Sequence, residues 1–471
     1  MLRAAVLALA PLVMPCAAVA QDDVQWPVPG EVSRAIAAGD HETARLLIEP
    51  EIAACIAASP NGRKCILVLT THAAASAGLP ELRPRVARAV TAAEENFGPA
   101  SVAAAIALGS TAPAIAMGGD PALAEKMLER AILIRTSLYG KYDSYALELR
   151  EFLPLALGMQ GRIKEAVAAG EAVIADYSSA PGIAPDRLAT AKIGMVNIVG
   201  AYDRDRGIAW TTEAVAVLTV AKPATDAALI DAQFKLAELL PDIDTARSIA
   251  TAALINAEKA SLPPAKMGKY LLTAARLERN GKDYARSLAL LDRVRKLVEG
   301  RPELEMLLIG VSKDRTLVYV MQERYDLAAT AAREMRALVE KTMGKGGFFA
   351  RAITLYEMYI QQRRGSYHEL DGLFDAETIA FWQGVPIADP SRAIAFGILG
   401  DAKFKLGQLA AARTWLRYAA QASLDVTATR KGFDAKAETE LRDQSPVFQM
   451  QVQVAWRLST LPPGAPVNSA P

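Results

Sequence analysis

The sequence predicts an all-α fold, a solenoid of about ten stacked helix-turn-helix units that spans residues 31–432. The first observation behind this prediction is that Gly98, Gly140 and Gly182 lie 42 residues apart. A residue just past the end of a helix often needs a left-handed conformation, which glycine adopts without steric penalty. The three glycines therefore indicate helix ends at equal intervals along the chain.

The second observation is the regular spacing of the residue that follows each predicted hairpin turn, which serves as the index residue of its repeat. The ten index residues are His41, Leu79, Pro121, Ile163, Ile208, Ile243, Tyr284, Tyr325, Tyr367 and Leu409. Their successive differences are 38, 42, 42, 45, 35, 41, 41, 42 and 42. The three glycines, and Gly344 after Tyr325, each lie 19 residues beyond an index residue, where the second helix of a repeat should end.

The third observation is that small residues recur three positions after the index residue. These residues are Ala124, Ala166, Ala246, Ala328 and Ala412. Helices that cross closely need small side chains at the crossing, since a bulky residue would overpack it at a cost of about 1–3 kcal/mol. A single helical pair cannot bury its apolar face, whereas stacked pairs share one continuous core.

The stretch "FGILGDAKFKLGQLAAARTWLRYAA" resembles the tetratricopeptide (TPR) repeat. The matching positions are Phe396, Leu399–Gly400, Ala412 and Leu416, whereas Lys403 departs from the expected tyrosine. The period near 42 and the run of Ala131, Ile134 and Gly140 resemble the kinesin-light-chain type of repeat, in which both helices are longer. This resemblance implies a right-handed α-solenoid that binds a protein or peptide on a concave face lined by the first helix of each hairpin.

The first helices of three consecutive repeats carry clustered cationic and aromatic residues. Carried over from the resemblance, the groove residues are Lys269, Arg276, Arg279, Lys313, Tyr356, Tyr359 and Arg363. We expect the arginines among them to face solvent in the free protein. A solvated helical face that binds nothing is the alternative interpretation of the same residues.

Residues 1–20 have the pattern of a cleaved signal peptide. A basic residue precedes an apolar stretch, and Ala18–Ala20 form a small-x-small site before a polar segment. The mature chain would begin near Gln21 and be periplasmic or secreted. The alternative, a buried N-terminal helix, is disfavoured because Pro11 and Pro15 would disrupt it.

Export changes the interpretation of the cysteines. Cys55 and Cys65 are the two that remain in the mature chain, and an even count in an oxidising compartment favours a disulfide over two buried thiols. The histidines, His41, His72 and His368, lie far apart without ligand-like spacing, so we expect no metal site.

Charge and motifs disfavour several other functions. With 53 basic and 52 acidic residues the chain is nearly neutral, so no global field favours nucleic acid or an anionic membrane. The uncharged run 97–119 could span a bilayer, but its glycines and prolines favour a buried first helix of the third repeat, and we expect no transmembrane segment in the mature chain.

The glycines around Lys345 lack phosphate-loop spacing, and no cysteine is left for a Cys-His nucleophile. We therefore expect no cofactor, no catalytic residue and no enzymatic activity.

The remaining segments are assigned as an extended stretch over 21–30, capping helices over 433–461 and a disordered tail over 462–471. Alternating apolar residues from Phe448 to Trp456 leave a strand as the alternative to the last capping helix. Two functions remain open. The first is an exported scaffold that binds another envelope protein or peptide through its groove. The second is a superhelical accessory of an enzyme system that acts on peptidoglycan.

Overall fold

The structure, a computed structural model of the chain, describes residues 31–32, 41–58, 63–76, 79–301, 304–343, 348–385, 389–428, 442 and 445–461. The regular secondary structure in these ranges is helical, and no strand occurs in them. The described residues divide into two compact units, those up to Leu239 and those from Leu240 onward, called here the N-terminal unit and the C-terminal unit. The predicted fold class, an α-solenoid of TPR-like hairpins, is confirmed.

The described part of the N-terminal unit contains ten long helices. They are α1 (His41–Ala58), α2 (Arg63–Ala74), α3 (Leu82–Phe97), α4 (Val102–Met117), α5 (Pro121–Tyr139), α6 (Ser144–Met159), α7 (Ile163–Ser179), α8 (Pro185–Tyr202), α9 (Arg204–Ala221) and α10 (Ala227–Leu239). Each helix packs against the next one along the chain, and α2, α4 and α6 also contact one another in order. The first helices of successive hairpins therefore form a continuous row.

The described part of the C-terminal unit contains eleven helices. They are α11 (Ile243–Lys259), α12 (Pro264–Asn280), α13 (Tyr284–Val298), α14 (Met306–Met321), α15 (Tyr325–Met343), α16 (Phe348–Arg364), α17 (Tyr367–Gly372), α18 (Ala376–Gly384), α19 (Ser391–Lys405), α20 (Leu409–Ala428) and α21 (Ser445–Ser459). Here α12, α14 and α16 form the row of first helices. The Tyr367 repeat differs from the others because its second helix is replaced by the short α17 and α18.

Eight of the ten predicted index residues are the first residue of a helix. The two exceptions are Leu79 and Ile208. Leu79 precedes a proline, which disfavours the helical conformation, and α3 begins only at Leu82. Ile208 lies inside α9, which begins at Arg204 because a single residue separates it from α8.

The hairpin turns share one backbone geometry. The residue two positions before the second helix has a positive φ in six repeats, at Gly119, Gly161, Lys282, Glu323, Gly365 and Gly407. At the α6–α7 turn, the N–H of Arg162 donates to the carbonyl of Leu157 at 3.1 Å, and the N–H of Gly161 donates to that of Gly158 at 2.9 Å. This is a Schellman motif, in which the turn satisfies the last carbonyls of the first helix.

Gly98 and Gly140 directly follow the second helices α3 and α5, as the sequence predicts, whereas Gly182 lies three residues beyond the end of α7; all three have positive φ. Gly98 and Gly140 both have φ 91°, with ψ 153° and 172°, and Gly182 has φ 76°. The ψ values correct the expectation of a left-handed helical cap, since they place Gly98 and Gly140 in an extended region that only glycine commonly adopts. Gly344 lies outside the described residues.

Small residues line the helix crossings. The five alanines predicted for this role are each 0% exposed. The uncharged helix α4 is mostly buried, as expected for a core first helix. In the ranges that the structure describes, no helix is long and apolar enough to cross a membrane.

Polar contacts connect side chains that lie one repeat apart. In the N-terminal unit, Arg162 Nη1 is 2.8 Å from Glu125 Oε1, 37 residues earlier. In the C-terminal unit, Lys341 Nζ is 2.6 Å from Glu305 Oε1, 36 residues earlier. Other polar side-chain pairs about one repeat apart occur in both units. We call the whole set of these contacts the inter-repeat ladder. The ladder adds directional contacts to an interface otherwise formed by apolar packing.

The two ends of the chain are described in part. A disulfide joins Cys55 on α1 to Cys65 on α2, with the Cα atoms 5.3 Å apart. At the other end, residues 445–459 form a helix, so the strand alternative is wrong; α21 buries Val447 and Val454 and packs on α20. The predicted signal peptide, the segment 21–30, residues 433–441 and the tail 462–471 lie outside the described residues.

Candidate partner-binding site

The predicted groove residues lie on α12, α14 and α16 of the C-terminal unit. Helix α12 begins at Pro264, where a missing backbone N–H costs nothing, and ends at a turn that satisfies its last carbonyls. In this turn the N–H of Asp283 donates to the carbonyl of Glu278 at 2.9 Å. The end of α12, which carries Arg276 and Arg279, is therefore held in a defined position.

Arg279 and Asp314 form a buried ion pair at the centre of the site. Arg279 Nη1 donates to Asp314 Oδ1, and the two side chains are 7% and 5% exposed. The expectation that Arg279 faces solvent is therefore wrong. The reason is that α12 and α14 pack together, and residues 35 positions apart, the spacing of the inter-repeat ladder, meet between these helices.

Lys313 lies next to this pair and is half-buried. Burial lowers the pKa of its ammonium group, and Arg276 and Arg279 lower it further, while the Asp314 carboxylate acts in the opposite direction. In the part of the chain that the structure describes, we find no hydrogen bond or ion pair of the Lys313 ammonium. The opposite charge that acts on it, Asp314, is already engaged by Arg279.

Arg276 and Tyr356 complete the site. Arg276 is half-buried, and its Nη2 donates to Thr273 Oγ1 at 3.2 Å. Tyr356 on α16 is 8% exposed, and burial, reinforced by the Asp314 carboxylate, raises the pKa of its hydroxyl group to about 12. We call the set Arg276, Arg279, Lys313, Asp314 and Tyr356 the cationic cluster.

The structure brings four of the seven predicted groove residues together in this cluster, and the other three lie elsewhere. Lys269 is exposed and two helical turns before Arg276, a rise of about 10 Å. Arg363 is exposed near the end of α16. Tyr359 packs against the apolar cluster of Val320, Ala328, Ala332 and Ile360. These three residues are peripheral to the cationic cluster.

The cluster places three cationic side chains around one carboxylate, which already accepts from Arg279. A half-buried ammonium group favours an incoming anion, and guanidinium groups suit carboxylate or phosphate oxygens. The buried Nε of Arg279 also has no hydrogen-bond partner among the residues that the structure describes. Within the described ranges, no group of three or more His, Cys, Asp or Glu residues could hold a metal ion.

Sequence reasoning missed Asp314, although a signal was present. Asp314 directly follows a predicted groove residue and lies 35 positions after Arg279. It also missed Glu278, a carboxylate 3% exposed that accepts from Arg247 Nε at 2.7 Å. Both acids could have been found by searching for opposite charges one repeat apart.

A second polar cluster lies in the N-terminal unit. Glu151 on α6 accepts from the Tyr177 hydroxyl at 2.5 Å and from Arg187 Nη2. The guanidinium carbon of Arg187 lies 4.6 Å from the centre of the Tyr177 ring. One turn before Glu151, burial raises the pKa of Glu148 to about 7; Arg187 opposes this shift, and the charge of Glu151 adds to it.

The chain is similar to solved structures, but it has no match among protein-family models. No curated protein matches its sequence either. The apo form of RapI is 11% identical with a TM-score of 0.47, over 76% of this chain and 98% of that one. A Rap protein complexed with Competence and Sporulation Factor is 12% identical with a TM-score of 0.42, over 90% and 98%. Kinesin-light-chain-like TPR-like repeats from Podosopora anserina are 16% identical with a TM-score of 0.35, over 41% and 95%. At these values the likeness concerns the arrangement of helices alone.

Proposed function

We propose that the protein is an exported, periplasmic scaffold that binds an acidic segment of another envelope protein or peptide through the cationic cluster, and that it is not an enzyme. The observation that carries this proposal is the half-buried ammonium group of Lys313. It has no hydrogen bond or ion pair among the described residues, and the neighbouring Asp314 carboxylate is engaged by Arg279. An acidic side chain or terminal carboxylate would supply an acceptor for this ammonium group.

The energetics favour a local contact rather than long-range attraction. The chain as a whole carries a formal charge of only +1, so an acidic partner is not steered by a global field. Contacts of desolvated arginine and tyrosine side chains at interface centres contribute about 2 kcal/mol or more each, whereas rim charges contribute little. Arg276 is the arginine at which to test such a contact, because its side chain is half-buried, whereas that of Arg279 is buried in the pair with Asp314.

Export is the second part of the proposal. The signal-peptide pattern of residues 1–20 supports it, and the disulfide between Cys55 and Cys65 suits an oxidising compartment. We expect the mature chain to begin near Gln21 when the precursor is expressed in a bacterium. Intact mass measurement of the periplasmic fraction tests this directly, and an uncleaved chain confined to the cytoplasm contradicts it.

The binding test compares labelled peptides of equal length, one acidic, one basic and one neutral, by fluorescence anisotropy. We expect the acidic peptide to bind, and Arg276→Glu to weaken it by roughly 30-fold, which corresponds to the 2 kcal/mol of a central arginine contact. Arg417→Glu, at an exposed position on α20, is the matched charge reversal and should leave binding within about twofold. Both variants should retain the helical circular dichroism spectrum.

The outcomes separate the two functions left open by the sequence. Equal binding of all three peptides, or full binding by Arg276→Glu, would mean that the cluster is not the binding site. Sedimentation with purified peptidoglycan, combined with no protein partner captured from envelope extract, would instead favour the accessory of a cell-wall enzyme system.

A further inference from the structure

Helix α21, the last helix of the described residues, is apolar on two opposite faces. Its inner face packs on α20, where Val447 and Val454 are buried and Gln451 Nε2 donates to the carbonyl of Leu416 at 2.6 Å. The opposite side is exposed, and we call it the outer face; it consists of Gln449, Val452, Gln453, Ala455, Trp456 and Ser459. Val452 and Trp456 lie one turn apart, and each is 70% exposed.

This composition is unusual for the end of a solenoid. A terminal helix normally has a polar outer face, because no further repeat covers it. A helix that is apolar all round is typical of a buried position. Tryptophan is enriched at protein interfaces, whereas charged residues are depleted at their centres. The outer face therefore has the composition of a surface that another protein surface covers.

We propose that the outer face of α21 binds the same face of a second copy of the chain around a two-fold axis. Each face of a two-fold interface must be complementary to itself. The outer face meets this condition, since none of its residues is charged and no charge would face its own copy. Arg457, the single charge of α21, is held by its own chain: its guanidinium carbon lies 4.7 Å from the centre of the Phe404 ring on α19.

The other residues of the outer face also suit pairing with themselves. The amides of Gln449 and Gln453 each contain donors and an acceptor, so either can bond to the same residue of a second copy. Ala455 and Ser459 are small and lie one turn apart, so they leave a groove beside the two large side chains. The ridge of one helix packs into such a groove of another.

The segments that flank α21 in the sequence contain few residues that could cover this face. Residues 462–471 contain one large apolar residue, Val467, and four prolines. Residues 429–444 contain two large apolar residues, Phe433 and Leu441, among eight charged ones. A second copy instead brings an uncharged face with the same large apolar side chains.

The interface is small, because it is formed by one helix of 15 residues from each copy. Interfaces below about 1,200 Å² of total buried area are those of weak and transient complexes. We therefore expect reversible association in the micromolar range. A pair of chains would carry two cationic clusters and bind a repeated acidic partner more tightly. That consequence rests on the proposed function, whereas the association does not.

Sedimentation velocity of the full chain without peptide, over about 1–100 µM, tests the association. We expect the average mass to rise toward that of two chains. Trp456→Glu should weaken the association at least roughly 30-fold, because each dimer loses this contact twice. Leu133→Glu, at a 66% exposed position on α5, is the matched control and should leave it unchanged. A wild type that remains monomeric, or equal effects of the two variants, would overturn the proposal.

A pair of charge variants distinguishes a second copy from any other occupant. Gln453→Glu and Gln453→Lys should each weaken self-association, because like charges face each other across the axis. An equal mixture of the two variants should restore it, since opposite charges then meet. A mixture that associates no better than either variant alone would contradict the pairing of identical faces.

A third measurement uses the wild type alone and does not depend on the folding of a variant. Backbone amide hydrogen exchange in residues 445–459 should slow as the protein concentration rises, while exchange in α5 stays the same. Exchange that does not depend on concentration would mean that the outer face is free or is covered by its own chain, and the proposal would fail. A dimer that does not bind the acidic peptide would overturn only the proposed function.

Discussion

Gly200 and Gly207 bring the backbones of α8 and α9 into direct contact. A Cβ atom placed on Gly207 would lie 2.7 Å from the Cα of Gly200. These helices are separated by the single residue Asp203, whose side chain accepts from the N–H of Arg206 at 3.1 Å and so caps α9. Because one residue connects the two helices, they cannot move apart easily. The close approach of α8 and α9 is therefore a fixed feature of this hairpin.

Gly207→Ala should therefore destabilise the protein by about 2–3 kcal/mol, because the obstacle is backbone and cannot rotate away. Urea denaturation followed by circular dichroism measures this loss. Gly158→Ala is the matched control, since its added Cβ would meet, in the described part of the chain, only the Cβ of Ala166 at 4.0 Å. We expect that variant to be stabilised by about 0.5–1 kcal/mol through reduced freedom of the unfolded chain. Equal stabilities of the two variants would mean that α8 and α9 are not in backbone contact.

Gly140→Val should cost at least about 1 kcal/mol. No atom of the described residues lies within 4 Å of a Cβ at this position, so the cost comes from the backbone conformation, at φ 91° and ψ 172°. A thermal melt compares the variant with the wild type. An unchanged melting temperature would show that the end of α5 can adopt another conformation without loss.

Arg279→Leu should cost about 3 kcal/mol or more, because it leaves the Asp314 carboxylate buried without its partner. Replacing both residues by leucine should recover most of that loss, since a buried ion pair and an apolar pair are often close in stability. A double-mutant cycle in urea measures the coupling. If the single variant is as stable as the wild type, the side chains are not paired in solution. For the same reason Arg276, and not Arg279, is the position at which binding should be tested.

Glu148→Gln should stabilise the protein at pH 8 and leave it unchanged at pH 4.5. The pKa of Glu148 is about 7 in the folded chain, compared with an ordinary value of 4.5, so the folded state holds this proton more firmly. Stability of the wild type therefore falls as the pH rises from 4.5 to about 7 and stays low above that range. Allowing for partial exposure, we expect a gain of about 1–2 kcal/mol in the variant at pH 8.

The matched control for this pH dependence is Glu129→Gln, at an exposed position on α5. As an exposed substitution it should change the free energy of unfolding by no more than about 0.5 kcal/mol. A Glu148→Gln variant whose gain does not depend on pH would show that Glu148 ionises as an ordinary surface carboxyl group.

Peptide mapping of exported protein without reductant should recover Cys55 and Cys65 in one linked peptide. Two freely alkylated thiols would contradict the disulfide seen in the structure. Replacing both cysteines by serine should cost up to about 3 kcal/mol, because the bond closes a short loop between α1 and α2.

The fold was largely predictable from the sequence because the glycines, the index residues and the small residues all recur with the same spacing, about 42 residues. Ile208 shows where this signal misleads. The prediction that Ile208 follows a hairpin turn places Gly207 in that turn, whereas Gly207 lies inside α9 at the close crossing with α8. Gly207 lies three residues after Arg204, the first residue of α9. In other repeats an alanine lies three residues after the first residue of the second helix. A single sequence does not distinguish a glycine that a turn requires from a glycine that a close contact between two helices requires.

The site was less predictable, and Arg279 shows the reason. The sequence places Arg279 on a first helix but does not say how closely α12 and α14 approach, and this distance decides whether the side chain is hydrated or buried. The pairing with Asp314 depends on a contact 35 residues away. The period restricts the possible partners but does not identify which of them meets the arginine.

The inter-repeat ladder has a mechanical consequence. Each of its contacts joins a repeat only to the one before or after it, so no polar side chain of the ladder ties distant parts of a unit together. A chain pulled from its ends should therefore lengthen in increments, with one hairpin released while the next still holds. Each increment would free about 40 residues, or about 140 Å of extended chain. Each unit would thus act as an extensible tether between whatever its two ends are attached to.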